Sequence, residues 1–218
     1  MIYVIMCGGT YTVWKEPKQL ARIGGERLVE RTIRQLRENG CGAICITSND
    51  PRFDGFGVPR LQHFNEYTSV AGKISGYWLD AFYPHFDPEE KVTFIFGDVC
   101  FTDDAIREIV NHQEDQKNIL WGTGVAANEQ HEDWGEPFAY RVNDYAAFMK
   151  GVQEVKAMQD TGQLKRQGLV WELYRHLNGL DVNVQKVLVG DTYFPIDDGT
   201  MDLDSPEKYE QVRKEFEK

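Results

Sequence analysis

The stretch Met1-Ile-Tyr-Val-Ile-Met-Cys-Gly-Gly-Thr-Tyr-Thr-Val-Trp-Lys-Glu-Pro-Lys-Gln-Leu20 decides the fold of this chain. It opens on an apolar run without polar alternation, which predicts a strand buried on both faces. Gly8 and Gly9 follow, and two glycines let the backbone turn and leave N–H groups uncovered, an arrangement that cradles phosphate oxygens. Lys15 and Lys18 could supply the positive charge that a triphosphate requires. A plain turn with solvated lysines is the alternative.

A helix and a second strand are predicted after this turn. Apolar positions recur at helical spacing from Leu28 to Leu36, Asn39-Gly40 gives a C-terminal stop, and residues 43–47 form a short apolar run. Strand, helix and strand make a βαβ unit, whose right-handed crossover places the Gly8-Gly9 turn at the carboxyl edge of a parallel sheet. The glycine turn is therefore expected to face a ligand crevice.

A second strand end carries an acidic residue. Residues 92–96 have high β propensity and lead into Gly97-Asp98, so Asp98 is expected at the same carboxyl edge. A carboxylate there can hold Mg²⁺, which prefers oxygen ligands, and an ordinary turn aspartate is the alternative. Thr102 or Asp103 is expected to cap the following helix, which leaves Asp98 as the residue with a chemical role.

Two further carboxylates lie near the carboxyl terminus. Asp202 and Asp204 alternate around Leu203, and in an extended segment this spacing points both acids to one face and the leucine to the core. Such a pair is either a cation site or a repelling pair. Ser205 and Pro206 are expected to begin the last helix, the first as its N-cap.

These motifs together resemble the nucleotidyltransferase family with the NTP-transferase fold. They are, in order, the glycine pair with Pro17-Lys18-x-Leu20 and Gly25-Glu-x-Leu28-Val29, then Gly97-Asp98-Val99 before a helix, then Asp202-x-Asp204-Ser-Pro-Glu-x-Tyr209. The resemblance implies an α/β fold, a single-domain three-layer αβα sandwich over residues 1–218 with a mostly parallel Rossmann-like sheet. It also implies transfer of a nucleoside monophosphate from an NTP to a phosphorylated small molecule, sugar phosphate or sugar acid, with release of pyrophosphate. CTP is the favoured donor.

The resemblance also implies roles for individual residues. Lys18 and Asp98 are expected to be catalytic, and the other assignments are nucleotide binding by Gly8, Gly9, Thr10, Lys15, Lys18 and Ser69, Mg²⁺ binding by Asp98, Asp202 and Asp204, and acceptor binding by Glu136, Tyr140 and Arg141. Because the attacking phosphate oxygen is already anionic, no general base is required, and catalysis depends on positioning and charge neutralisation.

Two of these assignments compete with simpler interpretations. Apolar spacing predicts a helix over residues 70–83, and Thr68 or Ser69 could cap it instead of contacting the base. Residues 135–142 form a predicted strand, and a strand with one charged face explains Glu136, Tyr140 and Arg141 equally well.

Two other functions remain open. A glycosyltransferase with a related sheet would use a nucleotide-sugar donor, but Asp98 is followed by Val99-Cys100, where such an enzyme usually has its acidic pair. The glycine loop lacks the arginine that the family has before its Pro-Lys, which keeps a non-catalytic nucleotide-binding regulatory protein in view.

Composition limits the partners. The chain has 218 residues, 41% of them apolar, and a formal net charge of −11, which argues against nucleic acid or an anionic membrane as the main partner. Its four cysteines lack paired metal spacing and are expected to be reduced and mostly buried. No long apolar stretch or basic leader is present, so we expect a cytoplasmic protein. The polar segment 159–168 could bend over the site or carry a contact of a homodimer.

Overall fold

A computed structural model of the chain describes residues 1–8, 16–62, 77–113, 117–123, 135–184 and 189–216, and the backbone of 68–70 and 73–75. Within these ranges the α-helices are α1 (Leu28–Glu38), α2 (Asp103–Asn111), α3 (Tyr145–Asp160), α4 (Val170–Leu177) and α5 (Pro206–Phe216). The strands are β1 (Ile2–Met6), β2 (Arg22–Ile23), β3 (Glu26–Arg27), β4 (Ile44–Thr47), β5 (Arg60–Leu61), β6 (Thr68–Val70), β7 (Lys73–Ser75), β8 (Val92–Phe96), β9 (Val99–Cys100), β10 (Ile119–Thr123), β11 (Pro137–Val142), β12 (Tyr193–Ile196) and β13 (Met201–Asp202).

A seven-stranded sheet forms the centre of the molecule, in the order β12-β10-β11-β8-β1-β4-β5. Every neighbouring pair is parallel except the two pairs that β11 makes, so β11 alone among these seven strands runs the opposite way. Helices flank the sheet, with α1 packed on α2 and α3 packed on α4. The predicted α/β architecture with a mostly parallel sheet is confirmed.

The two central strands are buried on both faces, as their unbroken apolar sequences predict. Val4 and Ile5 of β1 and Phe94 and Ile95 of β8 are fully buried. The register pairs Met6 with Phe96, so both strands end together. The turns that follow them, at Gly8 and at Gly97-Asp98, therefore lie side by side at the carboxyl edge.

The predicted helix over residues 70–83 is wrong. The chain instead pairs β6 antiparallel with β7, and the described residues 77–83 form a short 3-10 helix at Trp78–Ala81. Gly72 and Gly76 fall inside the apolar spacing, and each glycine costs a helix about 1 kcal/mol relative to alanine. Thr68 and Ser69 lie in β6, so neither caps a helix.

A small second core ties the carboxyl-terminal segment to the rest. Its buried members are Ile23, Leu28, Cys100, Leu203 and Val212. They come from the β2–β3 hairpin, α1, β9, the segment after β13, and α5. Full burial of Leu203 alone contributes about 1.5–3 kcal/mol, which fixes the face that this segment presents.

Two compositional expectations can be compared with the structure. All four cysteines are free and buried, as predicted. Among the described residues, no helix combines the length and apolar character needed to cross a bilayer.

Candidate active site

Three adjacent strands deliver functional groups to one edge of the sheet. Gly8 follows β1, Asp98 follows β8, and Glu136 directly precedes β11. Because β11 runs antiparallel to β8, its beginning lies at the edge where β1 and β8 end. Gly97 permits this close approach, since a Cβ at Gly97 would collide with the Met6 carbonyl oxygen.

The carboxyl-terminal segment is hydrogen-bonded directly to the turn that carries Asp98. The backbone N–H of Leu203 donates to the Asp98 carbonyl at 2.9 Å, and β13 pairs antiparallel with β9. With Leu203 buried, the flanking Asp202 and Asp204 share the opposite face. The segments that contain Gly8, Asp98 and Asp202 are distant in the sequence and meet at this edge of the sheet, as the sequence motifs predict.

The acidic cluster comprises Asp98, Glu136, Asp202 and Asp204. Among the described residues, ligand oxygens of the last three lie within 4.8 Å of one another, a group that does not include the predicted metal ligand Asp98. Lys18 Nζ lies 2.9 Å from Asp98 Oδ2 and 3.8 Å from Asp204 Oδ1, so one lysine joins the middle of the chain to its end.

A second lysine pairs with the acidic cluster. Lys208, in the first turn of α5, places its Nζ 3.0 Å from Glu136 Oε1 and 3.4 Å from Asp204 Oδ2. The two lysines compensate part of the negative charge that the four carboxylates concentrate here.

Crowding of acids separates the pKa values of the neighbouring aspartates. Burial, the charge of Asp98 and a hydrogen bond with Asp204 raise the pKa of Asp202 well above its usual range. Partial burial acts in the same sense on Asp204, but its hydrogen bond with Asp202 and the charges of Lys208 and Lys18 outweigh burial and lower its pKa. The environment of the pair therefore favours the protonated form of Asp202 more than that of Asp204.

The pKa of Lys18 is raised. Burial of the ammonium lowers this pKa, but the carboxylates of Asp98, Asp202 and Asp204 more than reverse that effect. Lys18 is therefore a permanent cation in the acidic cluster.

The donor set of the acidic cluster fits a hard divalent cation. All the candidate ligand atoms are carboxylate oxygens, which Mg²⁺ prefers. Asp202 Oδ1 is buried and accepts no hydrogen bond from any residue that the structure describes. A buried oxygen without a donor is costly, and a bound cation would satisfy it. The residues present therefore fit the metal that the sequence motifs imply.

Other predicted site residues lie outside what the structure describes. Gly9, Thr10 and Lys15 belong to the stretch 9–15, and the side chain of Ser69 is likewise not among the described atoms. Their assignment to nucleotide binding stays a prediction.

The prediction that Tyr140 and Arg141 face the acceptor is contradicted. Tyr140 is fully buried and packs against Phe82 and Phe148. Arg141 is 3% exposed and pairs in register with Thr93, near the start of β8. At about 3.3 Å per residue, Arg141 lies roughly 17 Å along the chain from Glu136, towards the opposite edge of the sheet.

Arg141 has a structural role at that opposite edge. Its guanidinium donates to the carbonyl oxygens of His112, at 2.8 Å, and of Ile109. These contacts hold the end of α2 against the sheet, and the buried charge is compensated by carbonyl oxygens.

Two features of the site were missed by sequence reasoning. Glu136 was predicted only as an acceptor-binding residue, which stays a prediction, and the structure also places its oxygens within the acidic cluster. Lys208 was not singled out, although it stands four residues after Asp204, the spacing at which helix-borne charges meet. That spacing is the signal that could have identified it.

Solved structures with similar folds are nucleotidyltransferases or their relatives. A putative glucose-1-phosphate thymidylyltransferase from Bacillus anthracis aligns with a TM-score of 0.64 at 15% identity, over 99% of this chain and 95% of the other. UDP-glucose pyrophosphorylase from Acinetobacter baumanii gives 0.63 at 12%, over 99% and 93%. HddC from Yersinia pseudotuberculosis gives 0.56 at 15%, over 98% of each chain. At these identities the likeness shows the fold.

Sequence comparison identifies the family. No curated protein matches the chain significantly. The family model described as the MobA-like NTP transferase domain matches residues 3–167, about three quarters of the chain, which include the glycine turn and Asp98. The chain therefore belongs to the MobA-like NTP transferase domain family and is a nucleotidyltransferase.

Proposed function

We propose that this protein transfers a nucleoside monophosphate from an NTP to a phosphorylated or acidic small molecule, with Mg²⁺ as the metal ion. The observation that carries the proposal is the meeting of Lys18, Asp98 and Asp204 in one ion-paired cluster beside the glycine turn. Nucleotidyl transfer needs a turn that binds phosphate, a cation and carboxylates that can coordinate a metal ion. We further propose that residues 1–218 act as one domain in the cytoplasm.

The reaction exchanges one bond at the α-phosphorus. An anionic phosphate oxygen of the acceptor forms a bond to the α-phosphorus, and the bond from that phosphorus to the α,β-bridging oxygen breaks. The electron pair leaves with pyrophosphate, so no proton has to be removed from the nucleophile. CMP is the group that we favour, because of the sequence resemblance.

The chain's own groups take distinct parts in this step. Gly8, with Gly9 and Thr10, offers backbone N–H groups to the pyrophosphate, and Lys18 supplies the positive charge for it. Asp98, Asp202 and Asp204 would hold Mg²⁺, whose charge, when bound, stabilises the negative charge that develops on the transferred group.

Lys18 has to change partners for this reaction. In the structure its ammonium forms ion pairs with Asp98 and Asp204, two of the carboxylates that would coordinate the metal. With a divalent cation bound, these carboxylates would stay compensated and Lys18 would be free for the phosphates. Its flexible four-carbon stem allows this movement.

A two-dimensional substrate panel tests the proposal. Each of the four NTPs is mixed with MgCl₂ and with glucose 1-phosphate, other sugar phosphates or sugar acids, and pyrophosphate release is followed with a coupled enzyme assay. We expect release that requires both an NTP and an acceptor, and that EDTA abolishes. A chain that binds NTP and releases no pyrophosphate with any acceptor would be a regulatory binder. If a nucleotide-sugar replaces the NTP, release of a nucleoside diphosphate would identify a glycosyltransferase.

A further inference from the structure

We infer that Lys208 binds the phosphate of the acceptor, so that the second substrate is a phosphomonoester. The inference rests on the proposed function and deepens it by naming the group that recognises this substrate. Lys208 Nζ lies 3.0 Å from Glu136 Oε1 and 3.4 Å from Asp204 Oδ2. Its side chain is 39% exposed, compared with 19% for Lys18, so an incoming anion can reach it.

Strand order separates the distinct partners of the two lysines: Asp98 follows β8, next to β1, and Glu136 precedes β11 on the other side of β8, while both lysines also approach Asp204. Lys18 follows β1 and pairs with Asp98 and Asp204, on the side of the glycine turn. Lys208 pairs with Glu136, at the start of β11, and β11 lies on the other side of β8 from β1. A nucleotide whose phosphates occupy the glycine turn leaves the β11 side for the acceptor.

The acceptor needs a cation on that side. A phosphomonoester carries between one and two negative charges near neutral pH, and it has to approach both a triphosphate and four carboxylates. Like charges at such distances repel, so a compensating group of the chain is required. Among the described residues, Lys18 and Lys208 are the cations that form ion pairs with these carboxylates. With Lys18 on the nucleotide side, Lys208 remains for the acceptor.

The resting partner of Lys208 is rigidly held. The Glu136 N–H donates to Thr123 Oγ1, and the Glu136 carbonyl accepts from the Thr123 N–H, each at 2.9 Å. Trp171 Nε1 donates to the carbonyl of Gly135 at 2.9 Å. The backbone of Glu136 is thus fixed from both sides, whereas Lys208 has a flexible stem. Lys208 can therefore turn from a fixed carboxylate to an arriving phosphate.

α5 brings Lys208 to this position through contacts elsewhere along the helix. Tyr209 Oη donates to the Arg22 carbonyl at 2.8 Å, and Val212 is fully buried in the second core. Ser205 Oγ accepts from the Lys208 N–H at 3.2 Å, which caps the first turn. Replacing the Lys208 side chain leaves these anchors in place, so the substitution can be tested in a folded protein.

A binding experiment tests the inference without turnover. The full chain is loaded with MgCl₂ and with whichever of the four α,β-non-hydrolysable NTP analogues raises its melting temperature most, so that the glycine turn is filled. Inorganic phosphate is then titrated calorimetrically into wild type, Lys208→Met, Lys208→Arg and Lys214→Met. Lys214 is an exposed lysine of the same helix and serves as the matched control.

We expect Lys208→Met to weaken phosphate binding about 10- to 100-fold, the loss of one charge-assisted hydrogen bond, while Lys208→Arg retains most of the affinity and Lys214→Met retains all of it. The affinity for the NTP analogue should change less than twofold. Phosphate binding by Lys208→Met at the wild-type affinity would overturn the inference, as would absence of phosphate binding to wild type or an equal loss of NTP affinity.

A second arm identifies the anion. Glucose 1-phosphate should show the same dependence on Lys208 as phosphate, and glucuronate, a sugar acid without phosphate, should bind more weakly and depend less on it. Equal dependence of both ligands would overturn the phosphomonoester assignment. A protein that binds phosphate through Lys208 and releases no pyrophosphate in the substrate panel would refute the proposed function alone.

Discussion

Asp202→Asn should stabilise the metal-free protein while abolishing its activity. Asp202 shares the acidic cluster with Glu136 and Asp204, with oxygens within 4.8 Å, and its Oδ1 is buried without a hydrogen-bond donor among the described residues. When both carboxylates are ionised, two unit charges at that separation repel by about 3.5 kcal/mol at an effective dielectric constant of about 20, and protonation of Asp202, which its raised pKa favours, limits this loss. Lys18 and Lys208 offset part of this, so we expect a net gain of about 1–3 kcal/mol for the neutral amide.

The stability difference between wild type and Asp202→Asn should depend on pH. The pKa of Asp202 in the folded protein is raised above its value in the unfolded chain. Above the unfolded pKa, about 3.9, unfolding therefore releases a proton, and the carboxyl group lowers the stability of wild type increasingly as the pH rises towards the folded pKa. The advantage of the asparagine should be absent near pH 4 and should grow towards neutral pH.

Thermal unfolding in EDTA between pH 4 and pH 8 measures this effect. For a chain of this length 1 kcal/mol shifts the melting temperature by about 2–4 °C, so the expected rise at pH 7 is roughly 2 to 12 °C. Asp197→Asn, at an exposed position in the same segment, should change stability by less than about 0.5 kcal/mol. A destabilised Asp202→Asn at pH 7, or a gain of equal size at pH 4, would refute the reasoning.

Two other substitutions test how the site is built. Gly97→Ala places a Cβ against the Met6 carbonyl and 3.0 Å from Cys7 Sγ, and should lower the free energy of unfolding in urea by about 1–3 kcal/mol, whereas Gly42→Ala, with open space around its Cβ, should not. Trp171→Phe removes the hydrogen bond to the Gly135 carbonyl and should lower the free energy of unfolding by about 1 kcal/mol. It should also raise the KM for the acceptor more than the KM for the NTP. Equal stability of both alanine variants, or equal changes in both KM values, would contradict these expectations.

Local patterns predicted most of the elements that carry the site. Unbroken apolar runs identified β1 and β8 because central parallel strands are buried on both faces. Alternation around Leu203 predicted that Asp202 and Asp204 share one face. Successive side chains of an extended segment point to opposite sides whatever the rest of the fold. These predictions depend on neighbouring residues alone, which a sequence contains.

Relations between distant strands could not be predicted in the same way. Nothing in residues 135–142 records that β11 runs antiparallel to its neighbours, and this direction decides that Glu136 lies at the site while Arg141 lies near the other edge. The predicted helix over 70–83 was wrong because helical spacing of apolar residues was weighed without the cost of Gly72 and Gly76. Lys208 pairs with Glu136, 72 residues earlier at the start of β11, a contact that only the folded chain reveals.

The most direct test of the account compares pyrophosphate release by wild type and by Asp98→Asn under saturating MgCl₂, NTP and acceptor. The Asp98 carboxylate lies 2.9 Å from Lys18 Nζ, and the Asp98 backbone carbonyl accepts a hydrogen bond from the Leu203 N–H. Asparagine at position 98 would retain this backbone hydrogen bond. We predict a loss of at least about 100-fold in kcat, with a melting temperature within about 3 °C of wild type, while Asp104→Asn on the exposed surface of α2 keeps full activity. A wild-type rate in Asp98→Asn would contradict the central claim that these three segments form one nucleotidyl-transfer site.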